Sequence, residues 1–262
     1  DLVRSRGLGD VYKRQDESFL RVAVADYHAA RAELDELAKI TPTSKHVHPQ
    51  QLNRLVSELA APDAIFTCDV GTPTVWAARY LKLGGGRRLL GSFNHGSMAN
   101  ALLQAIGAQA AFPGRQVVSL SGDGGFAMMM GDFITLSQLK LPVKVIVLNN
   151  GTLGFVELEM KANGFLDTGT DLQNPDFAAM ARAMGVKGVR VETPQDLEAG
   201  VREVLAHPGP ALLDVVSARQ ELVMPPKTTA KDVKGFGLFL LKAVMNGRAS
   251  QVVDLTKVNL FR

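Results

Sequence analysis

Two oxygen-bearing side chains, Asp123 and Asn150, each follow a short run of strand-forming residues. Asp123 lies within a glycine turn, residues 122–125, and Asn150 is the second of two adjacent asparagines. Carboxylate and amide oxygens suit a hard cation such as Mg²⁺, which readily shares its ligands with phosphates. Glycines allow the backbone and its amides to approach those phosphates closely. The residue types therefore indicate a site for a divalent cation and a diphosphate.

The segments around these residues predict that the two side chains meet. Residues 116–120 and 143–148 have the composition of buried strands, and residues 132–140 have helical periodicity that Pro142 ends. A strand, turn, helix and strand in this order form a βαβ unit. Because such a crossover is right-handed, it lays both strand ends at the same edge of a parallel sheet.

The rest of the chain continues the alternation. Further strands are predicted at residues 64–67, 89–90, 188–191 and 211–216, with helices between them. One of these helices is expected to begin with Asn174 as its N-cap and Pro175 at its first position. The pattern predicts an α/β fold with a doubly wound parallel sheet. Two apolar runs, 235–245 and 252–261, predict a C-terminal helical tail.

Composition narrows the class of protein. Hydrophobic residues make up 46% and charged residues 21%, which is typical of a globular domain. The one cysteine, Cys68, excludes a disulfide framework, fits a reducing cytosol and is expected to be a buried apolar residue at a strand end. No run of eighteen apolar residues is present, so no membrane span is expected.

The positive charge lies at the two ends of the chain. Residues 1–15 carry a net charge of +2 and residues 221–262 of +4, so the total of +3 leaves −3 for residues 16–220. A nucleic-acid-binding protein carries its positive charge on the folded body. Nucleic acid is therefore not an expected partner.

The two motifs together resemble the metal and diphosphate motif of thiamine diphosphate (ThDP) enzymes. In this sequence Gly122-Asp123-Gly124 is separated by twenty-four intervening residues from Asn149-Asn150. The resemblance implies that Asp123, Asn150 and the carbonyl of Thr152 bind Mg²⁺. The full set of cofactor-binding residues that it implies is Gly96, Ser97, Met98, Asp123, Gly124, Gly125, Asn150, Gly151, Thr152, Leu153, Gly154, Phe155 and Val156.

The same resemblance gives roles to a loop and an aromatic residue. Residues 91–100 match the loop that holds the aminopyrimidine, through the Gly96 carbonyl and the Met98 amide. The Met98 side chain would hold the cofactor in a V shape, an apolar role that a thioether can fill; the alternative is a core methionine. Phe155 matches the position of an aromatic residue between thiamine and flavin, a catalytic electron-transfer contact; the alternative is ordinary packing at a helix start.

Residues 16–262 resemble, more narrowly, the carboxyl half of the flavin-containing, quinone-reducing pyruvate dehydrogenases of bacteria, the pyruvate oxidase subgroup. Residues 69–76, 91–100, 122–125 and the carboxyl end carry this resemblance. It implies a pyruvate:quinone oxidoreductase that uses ThDP, Mg²⁺ and FAD. Pyruvate would be oxidatively decarboxylated to acetate and CO₂, and electrons would pass through FAD to ubiquinone. The implied assembly is a homo-oligomer, specifically a tetramer.

The resemblance also implies a domain plan. Residues 1–15 resemble a translated sequencing adapter and are expected to be non-native, and residues 16–45 are expected to close a missing flavin domain and form a linker. Residues 46–220 would be the ThDP-binding domain. Residues 221–262 would bind an anionic membrane surface and place a cytoplasmic enzyme peripherally on the inner membrane; the alternative is a tail packed on its own subunit or on its oligomer partner.

Two other functions remain open, and one expected participant has no candidate. A non-redox ThDP enzyme, such as an acetolactate synthase or a 2-keto acid decarboxylase, shares the 122–150 core and would lack a basic lipid-binding tail. A non-catalytic binding domain on the same sheet is the second alternative. The family's catalytic glutamate lies in an amino-terminal domain, and nothing in residues 16–262 matches it. This polypeptide alone is therefore expected to be inactive.

Overall fold

A computed structural model describes residues 16–41, 45–219, 221 and 229–260. The chain divides into two compact units, Asp1–Lys39 and Ile40–Arg262. The first unit contains helix α1 (Ser18–Leu37), where the sequence predicted a helix over residues 16–40. The adapter-like residues 1–15 lie outside the described residues.

The second unit is built on a six-stranded, all-parallel sheet. Its strands are β1 (Ile65–Cys68), β2 (Arg88–Gly91), β3 (Val117–Gly122), β4 (Lys144–Asn149), β5 (Lys187–Val191) and β6 (Ala211–Val216). Their order across the sheet is β2-β1-β3-β4-β6-β5. Every residue of β4 is buried, because a parallel sheet is covered on both faces, whereas the edge strand β2 is partly exposed.

The helices that flank the sheet are α2 (Pro49–Leu59), α3 (Thr72–Tyr80), α4 (Ala101–Ala111), α5 (Asp123–Met128), α6 (Ile134–Gln138), α7 (Gly154–Ala162), α8 (Phe177–Ala183) and α9 (Pro194–Ala206). Proline in the first turn starts α2, α3 and α9, where its missing amide costs nothing. The predicted doubly wound α/β fold is confirmed.

Two local predictions differ from the structure. The glycine turn continues directly into α5, and the predicted helix over 132–140 is instead a 3₁₀ turn, Met130–Phe133, followed by α6. The N-cap of α8 is Asp176, which accepts a hydrogen bond from the Ala179 amide, so the assignment of Asn174 as the cap was wrong. Asn174 is engaged elsewhere, as described below.

The main core lies between the sheet and its helices. Three aromatic rings anchor it, since Phe126 packs edge-on against Phe133 and Phe177 with ring centroids 5.7 and 5.2 Å apart. Cys68 is fully buried, as expected, and burial raises the pKa of its thiol to about 12. A thiol with so high a pKa stays protonated and is not a nucleophile.

The predicted C-terminal helical tail is present as α10 (Ala230–Met245) and α11 (Ala249–Leu260). Phe239, Ala243 and Leu255 form a small buried cluster between these helices. Helix α10 crosses α7 at Gly235, where a Cβ would lie 1.9 Å from the Ala162 carbonyl oxygen. The tail therefore packs on its own chain, as one of the two alternatives expected. Within the described ranges, no helix has the length and apolarity needed to cross a bilayer.

Candidate functional site

The carboxyl ends of β1, β3 and β4 meet at an open cleft. A ligand cleft at the carboxyl edge is the expected place in a doubly wound sheet. Its lining consists of Asp69, Val70, Gly71, Thr72 and Pro73 after β1, Gly122 at the end of β3 with Asp123, Gly124 and Gly125 after it, and Leu148 within β4 with Asn150, Thr152, Leu153, Gly154, Phe155 and Val156 after it, together with Met98.

Asp123 lies at the polar end of the cleft with both carboxylate oxygens engaged. Its Oδ1 accepts a hydrogen bond from the Gly124 amide at 2.8 Å, and its Oδ2 accepts one from the Gly151 amide at 2.7 Å. Burial raises the pKa of this carboxyl, and the hydrogen bonds from the amides oppose that rise. Asp123 also lines the cleft, so its carboxylate is placed where it could bind a cation.

Asn150 and Thr152 lie beside Asp123 in the loop after β4. The Asn150 Oδ1 accepts from the Thr152 amide at 3.1 Å, and the intervening Gly151 amide is the one that binds Asp123. The structure thus brings the three predicted metal ligands to a single loop and turn. That they bind a metal stays a prediction.

The ligand chemistry of these residues fits Mg²⁺ shared with a diphosphate. Within the described ranges, no three His, Cys, Asp or Glu side chains form a metal-binding group, so carboxylates and imidazoles alone would not hold an ion. One carboxylate, one amide oxygen and one backbone carbonyl leave several positions of an octahedral Mg²⁺ to phosphate oxygens and water. The site is therefore suited to a cation that is bound jointly by the protein and by a diphosphate ligand.

Asn174 is a site residue that the sequence did not reveal. Its Nδ2 donates to Asp123 Oδ2 at 2.8 Å and to Asn149 Oδ1 at 2.9 Å. Asn149 in turn donates to Asp214 at 2.9 Å, and Arg190 pairs with the same carboxylate at 2.5 Å. This network connects the Asp123 carboxylate through β4 and β6 to a partly exposed guanidinium. The two adjacent asparagines therefore have different surroundings. Asn149 hydrogen-bonds to Asn174 and Asp214, whereas Asn150 lines the cleft.

Replacing Asn174 with alanine is expected to weaken binding of ThDP with Mg²⁺ about tenfold. A hydrogen bond to a charged group is worth about 1.5 kcal/mol or more, and Asp123 loses one of its donors. Isothermal titration calorimetry measures the change. Asn163→Ala, which removes an exposed asparagine whose side chain donates to the Glu159 carbonyl of its own helix, is the control. Equal affinities of the two variants would contradict the role of Asn174.

The two glycines after Asp123 are required by close neighbours. A Cβ on Gly124 would lie 2.9 Å from Leu153 Cδ2 and 3.5 Å from Met98 Cε. A Cβ on Gly125 would lie 2.4 Å from Asp69 Oδ2. Side chains at these positions would fill the cleft or displace its wall, so glycine is needed for packing as well as for access to a ligand.

Asp69 is a second buried carboxyl in the cleft to which the sequence assigned no role. Its Oδ1 accepts from the Ala101 amide at 2.9 Å, which ties the end of β1 to the start of α4. Burial raises its pKa to about 6, against the hydrogen bonds that it accepts, the one from the Ala101 amide foremost. Asp69 thus changes protonation in the mildly acidic range while it anchors the loop that carries Met98.

Replacing Asp69 with asparagine is expected to flatten the dependence of stability on pH between about 4 and 6. The wild-type carboxyl has a folded-state pKa of about 6 against an ordinary value of 3.8, so the fold binds its proton more tightly than the unfolded chain does. The contribution of the protonated Asp69 to the free energy of unfolding is complete below pH 3.8 and is lost as the pH rises through 6. At about 1.4 kcal/mol per pKa unit, this loss amounts to about 3 kcal/mol.

Urea unfolding of wild type and Asp69→Asn at pH values from 4 to 8 measures this effect. The variant is expected to gain stability relative to wild type as pH rises. Asp63→Asn, an exposed carboxyl at the amino end of β1, is the control and should follow the wild-type curve. Parallel curves for Asp69→Asn and wild type would contradict the buried, protonatable state.

The remaining predicted residues divide into two groups. Met98 is 39% exposed and lines the cleft, so the alternative of a core methionine is excluded. Leu153, Gly154, Phe155 and Val156 also line it, whereas Gly96, Ser97 and Gly151 are not among the lining residues. Gly96 lies in an exposed turn with a φ of +76°, a conformation that favours glycine. Their cofactor contacts stay predictions.

The segment that lines the cleft matches a known protein family. Residues 69–215, more than half of the chain, match the family described as thiamine pyrophosphate enzyme, C-terminal TPP binding domain. The chain belongs to this family. Thiamine diphosphate, the same compound as thiamine pyrophosphate, is therefore the cofactor of this domain. The predicted membership of the ThDP enzymes is confirmed.

Relatives of this TPP-binding domain include one protein described only by its cofactor and several enzymes with a named reaction. The Bacillus subtilis protein YdaP, described as thiamine pyrophosphate-containing, is 34% identical over 94% of this chain and 42% of its own length. The acetolactate synthase large subunit of Parasynechococcus marenigrum is 37% identical over 74% of this chain and 32% of its own length. Acetolactate synthase 2 of Zea mays is 34% identical, over 76% and 34% respectively.

These comparisons correct the predicted enzyme. The chain spans less than half the length of these relatives. The defined enzymes among them are acetolactate synthases, which contradicts the prediction of a pyruvate:quinone oxidoreductase. Three of the segments that carried that narrower resemblance, 69–76, 91–100 and 122–125, lie within the segment that matches the general TPP-binding domain, and the fourth, the carboxyl end, lies outside it. These three segments identify the TPP-binding domain, and they do not indicate which product the enzyme forms.

Proposed function

We propose that this domain forms part of a ThDP- and Mg²⁺-dependent enzyme that decarboxylates pyruvate and joins the remaining two-carbon unit to a second 2-keto acid, as an acetolactate synthase does. The similarity to acetolactate synthases supports this reaction over other ThDP chemistry. The observation that carries the proposal is the cleft itself, in which Asp123 and Asn150 follow adjacent strands and lie beside a glycine turn.

The residues of the polar end would hold the diphosphate through Mg²⁺. Asp123 supplies a carboxylate oxygen, Asn150 an amide oxygen and Thr152 its backbone carbonyl. The Gly124 and Gly125 positions keep the floor of the cleft free of side chains that would occupy the phosphate site. ThDP, when bound, supplies the carbon nucleophile and the electron sink for loss of the carboxylate.

The residues of the less polar side would orient the ring system. Met98, Leu153 and Phe155 line the cleft and present apolar surface to it. The Met98 thioether would act as a wedge beneath the bent cofactor, and the Gly96 carbonyl and Met98 amide would contact the aminopyrimidine. Such apolar walls also exclude water from the reacting carbon.

Several expectations from the sequence stay predictions. Binding of FAD, with Phe155 as its contact, is one of them, and so is assembly into a homotetramer. Contacts of residues 221–262 with an anionic membrane, binding of ubiquinone, and attachment of the enzyme to the inner membrane belong to the same group.

Calorimetry with ThDP and Mg²⁺, followed by NMR of products from ¹³C-labelled pyruvate, tests the proposal. Saturable cofactor binding and formation of acetolactate are expected of the enzyme that contains this domain. Acetate as the sole product would overturn the joining reaction. Failure of the purified chain to bind ThDP at any Mg²⁺ concentration would overturn the cofactor site, whether or not substrate is turned over.

A further inference from the structure

Helix α7 contains a buried ion pair that no role described above explains. Glu157 and Lys161, one turn apart, are 2% and 3% exposed, and Lys161 Nζ lies 2.5 Å from Glu157 Oε1. Removing two charges from water costs several kcal/mol for each ion, and their attraction rarely returns more than that. A fully buried pair of this kind therefore calls for a reason other than stability.

Glu157 reaches the cofactor loop with its second oxygen. Its Oε2 accepts a hydrogen bond from the Thr152 hydroxyl at 2.6 Å, and the Arg219 guanidinium lies 3.7 Å from the same oxygen. The Thr152 hydroxyl also lies 3.2 Å from the Thr170 carbonyl oxygen. Thr152 is buried and is the residue whose carbonyl would bind Mg²⁺. The carboxylate thus holds the Thr152 side chain in place through this hydrogen bond.

Helix α10 covers Lys161. Its Nζ lies 5.5 Å from the centre of the Phe239 ring, a cation–π distance, and Phe239 is fully buried. The close crossing at Gly235 brings α10 directly onto the end of α7. Lys242 of α10 donates to the Gly164 carbonyl at 2.7 Å. The ion pair is therefore buried because α10 is docked over it.

We propose that Glu157 is a positioning residue that couples the docking of helix α10 to the conformation of the cofactor loop, residues 150–153. A continuous set of contacts runs from Phe239 through Lys161 and Glu157 to Thr152. This inference rests on the proposed function only for the identity of the ligand that the loop receives. Since coupling between two sites is reciprocal, ThDP with Mg²⁺ stabilises the docked helix, and the docked helix raises the affinity for ThDP.

Hydrogen exchange followed by mass spectrometry on the full chain tests the coupling without any cofactor. In Phe239→Ala, which uncovers Lys161, amide exchange in residues 152–157 is expected to rise about tenfold, together with exchange in α10. In Thr152→Val, which removes the hydroxyl and keeps the backbone carbonyl, exchange in residues 239–243 is expected to rise.

Leu241→Ala is the matched control, because Leu241 is 58% exposed on the same helix. It should leave the loop unchanged, and exchange in β5 should be unchanged in every variant, which shows that the opening is local. The coupling is overturned if Phe239→Ala frees α10 while residues 152–157 exchange as in wild type. It is also overturned if α10 is already unprotected in wild type.

A second measurement uses the cofactor and separates this inference from the proposed function. Wild-type α10 is expected to exchange more slowly when ThDP and Mg²⁺ are added, and Thr152→Val is expected to lose most of that response. If the single variants fold poorly, the double variant Glu157→Gln/Lys161→Met, which replaces both charges with uncharged side chains of similar shape, shows whether the coupling between α10 and the cofactor loop needs the ion pair. Absence of ThDP binding in wild type would overturn the proposed function and leave the coupling to be decided by exchange alone.

Discussion

Replacing Asp123 with alanine is expected to weaken binding of ThDP with Mg²⁺ by about ten- to a hundredfold. The change removes the carboxylate from the polar end of the cleft, and a contact with a charged group is worth about 1.5–3 kcal/mol, where every 1.4 kcal/mol is a factor of ten. It also leaves the Gly124 and Gly151 amides without their acceptor. Calorimetry over a range of Mg²⁺ concentrations measures the loss.

Two further variants show whether the charge or the shape of Asp123 matters. Asp123→Asn keeps an oxygen of similar position and loses the charge, so its affinity is expected between those of wild type and Asp123→Ala. Asp63→Asn changes an exposed carboxyl at the opposite edge of the sheet and should bind as wild type does. If Asp123→Ala is folded by thermal denaturation and binds ThDP as tightly as wild type, the metal assignment is wrong.

The position of Asp123 and Asn150 could be predicted because it depends on local rules. Each residue follows a strand, and parallel strands joined by a helix end at the same edge of the sheet. The prediction needed only the two strands and the helix between them, and β3 and β4 do pair in parallel. The sequence pattern therefore contained the polar end of the site almost completely.

Asn174 and Asp69 could not be placed in this way because their partners are distant in the sequence. Asn174 precedes Pro175 and Asp176, so its local context is that of a helix cap, and only the fold shows that it donates to Asp123. Asp69 follows β1 and thus obeys the same strand-end rule as Asp123. Its proximity to Gly125 follows from the pairing of β1 with β3, and strand order is not contained in a local pattern.

The buried ion pair of α7 shows a further limit of local patterns. Glu157 and Lys161 are spaced as a solvent-exposed salt bridge on a helix would be. The pair is buried because α10, which begins at Ala230, returns from much later in the chain to cover it. The sequence predicted that the tail is helical and left its packing open. What the tail covers could not be read from its own apolar pattern.

Replacing Gly125 with alanine is expected to have the second largest effect, on both stability and cofactor binding. The added Cβ would lie 2.4 Å from Asp69 Oδ2 and 3.3 Å from the Ala99 amide nitrogen. Ala99 already has a φ of 62°, which is unusual for a residue with a side chain, so the loop has little freedom to move away. Overpacking of this kind costs about 1–3 kcal/mol of unfolding free energy.

Urea unfolding and calorimetry on Gly125→Ala, Gly131→Ala and Gly125→Ala/Asp69→Ala measure this effect and its cause. A Cβ added to Gly131 would meet no atom of the described neighbouring residues within 4 Å, so its alanine variant should be close to wild type in both measurements. Since Asp69 and Gly125 are in contact, their effects should not add, and removing the carboxyl should restore part of the stability lost in Gly125→Ala. If the two effects add strictly, the added Cβ does not clash with Asp69. If Gly125→Ala is as stable as Gly131→Ala, the wall of the cleft moves to accommodate the Cβ with no loss of unfolding free energy.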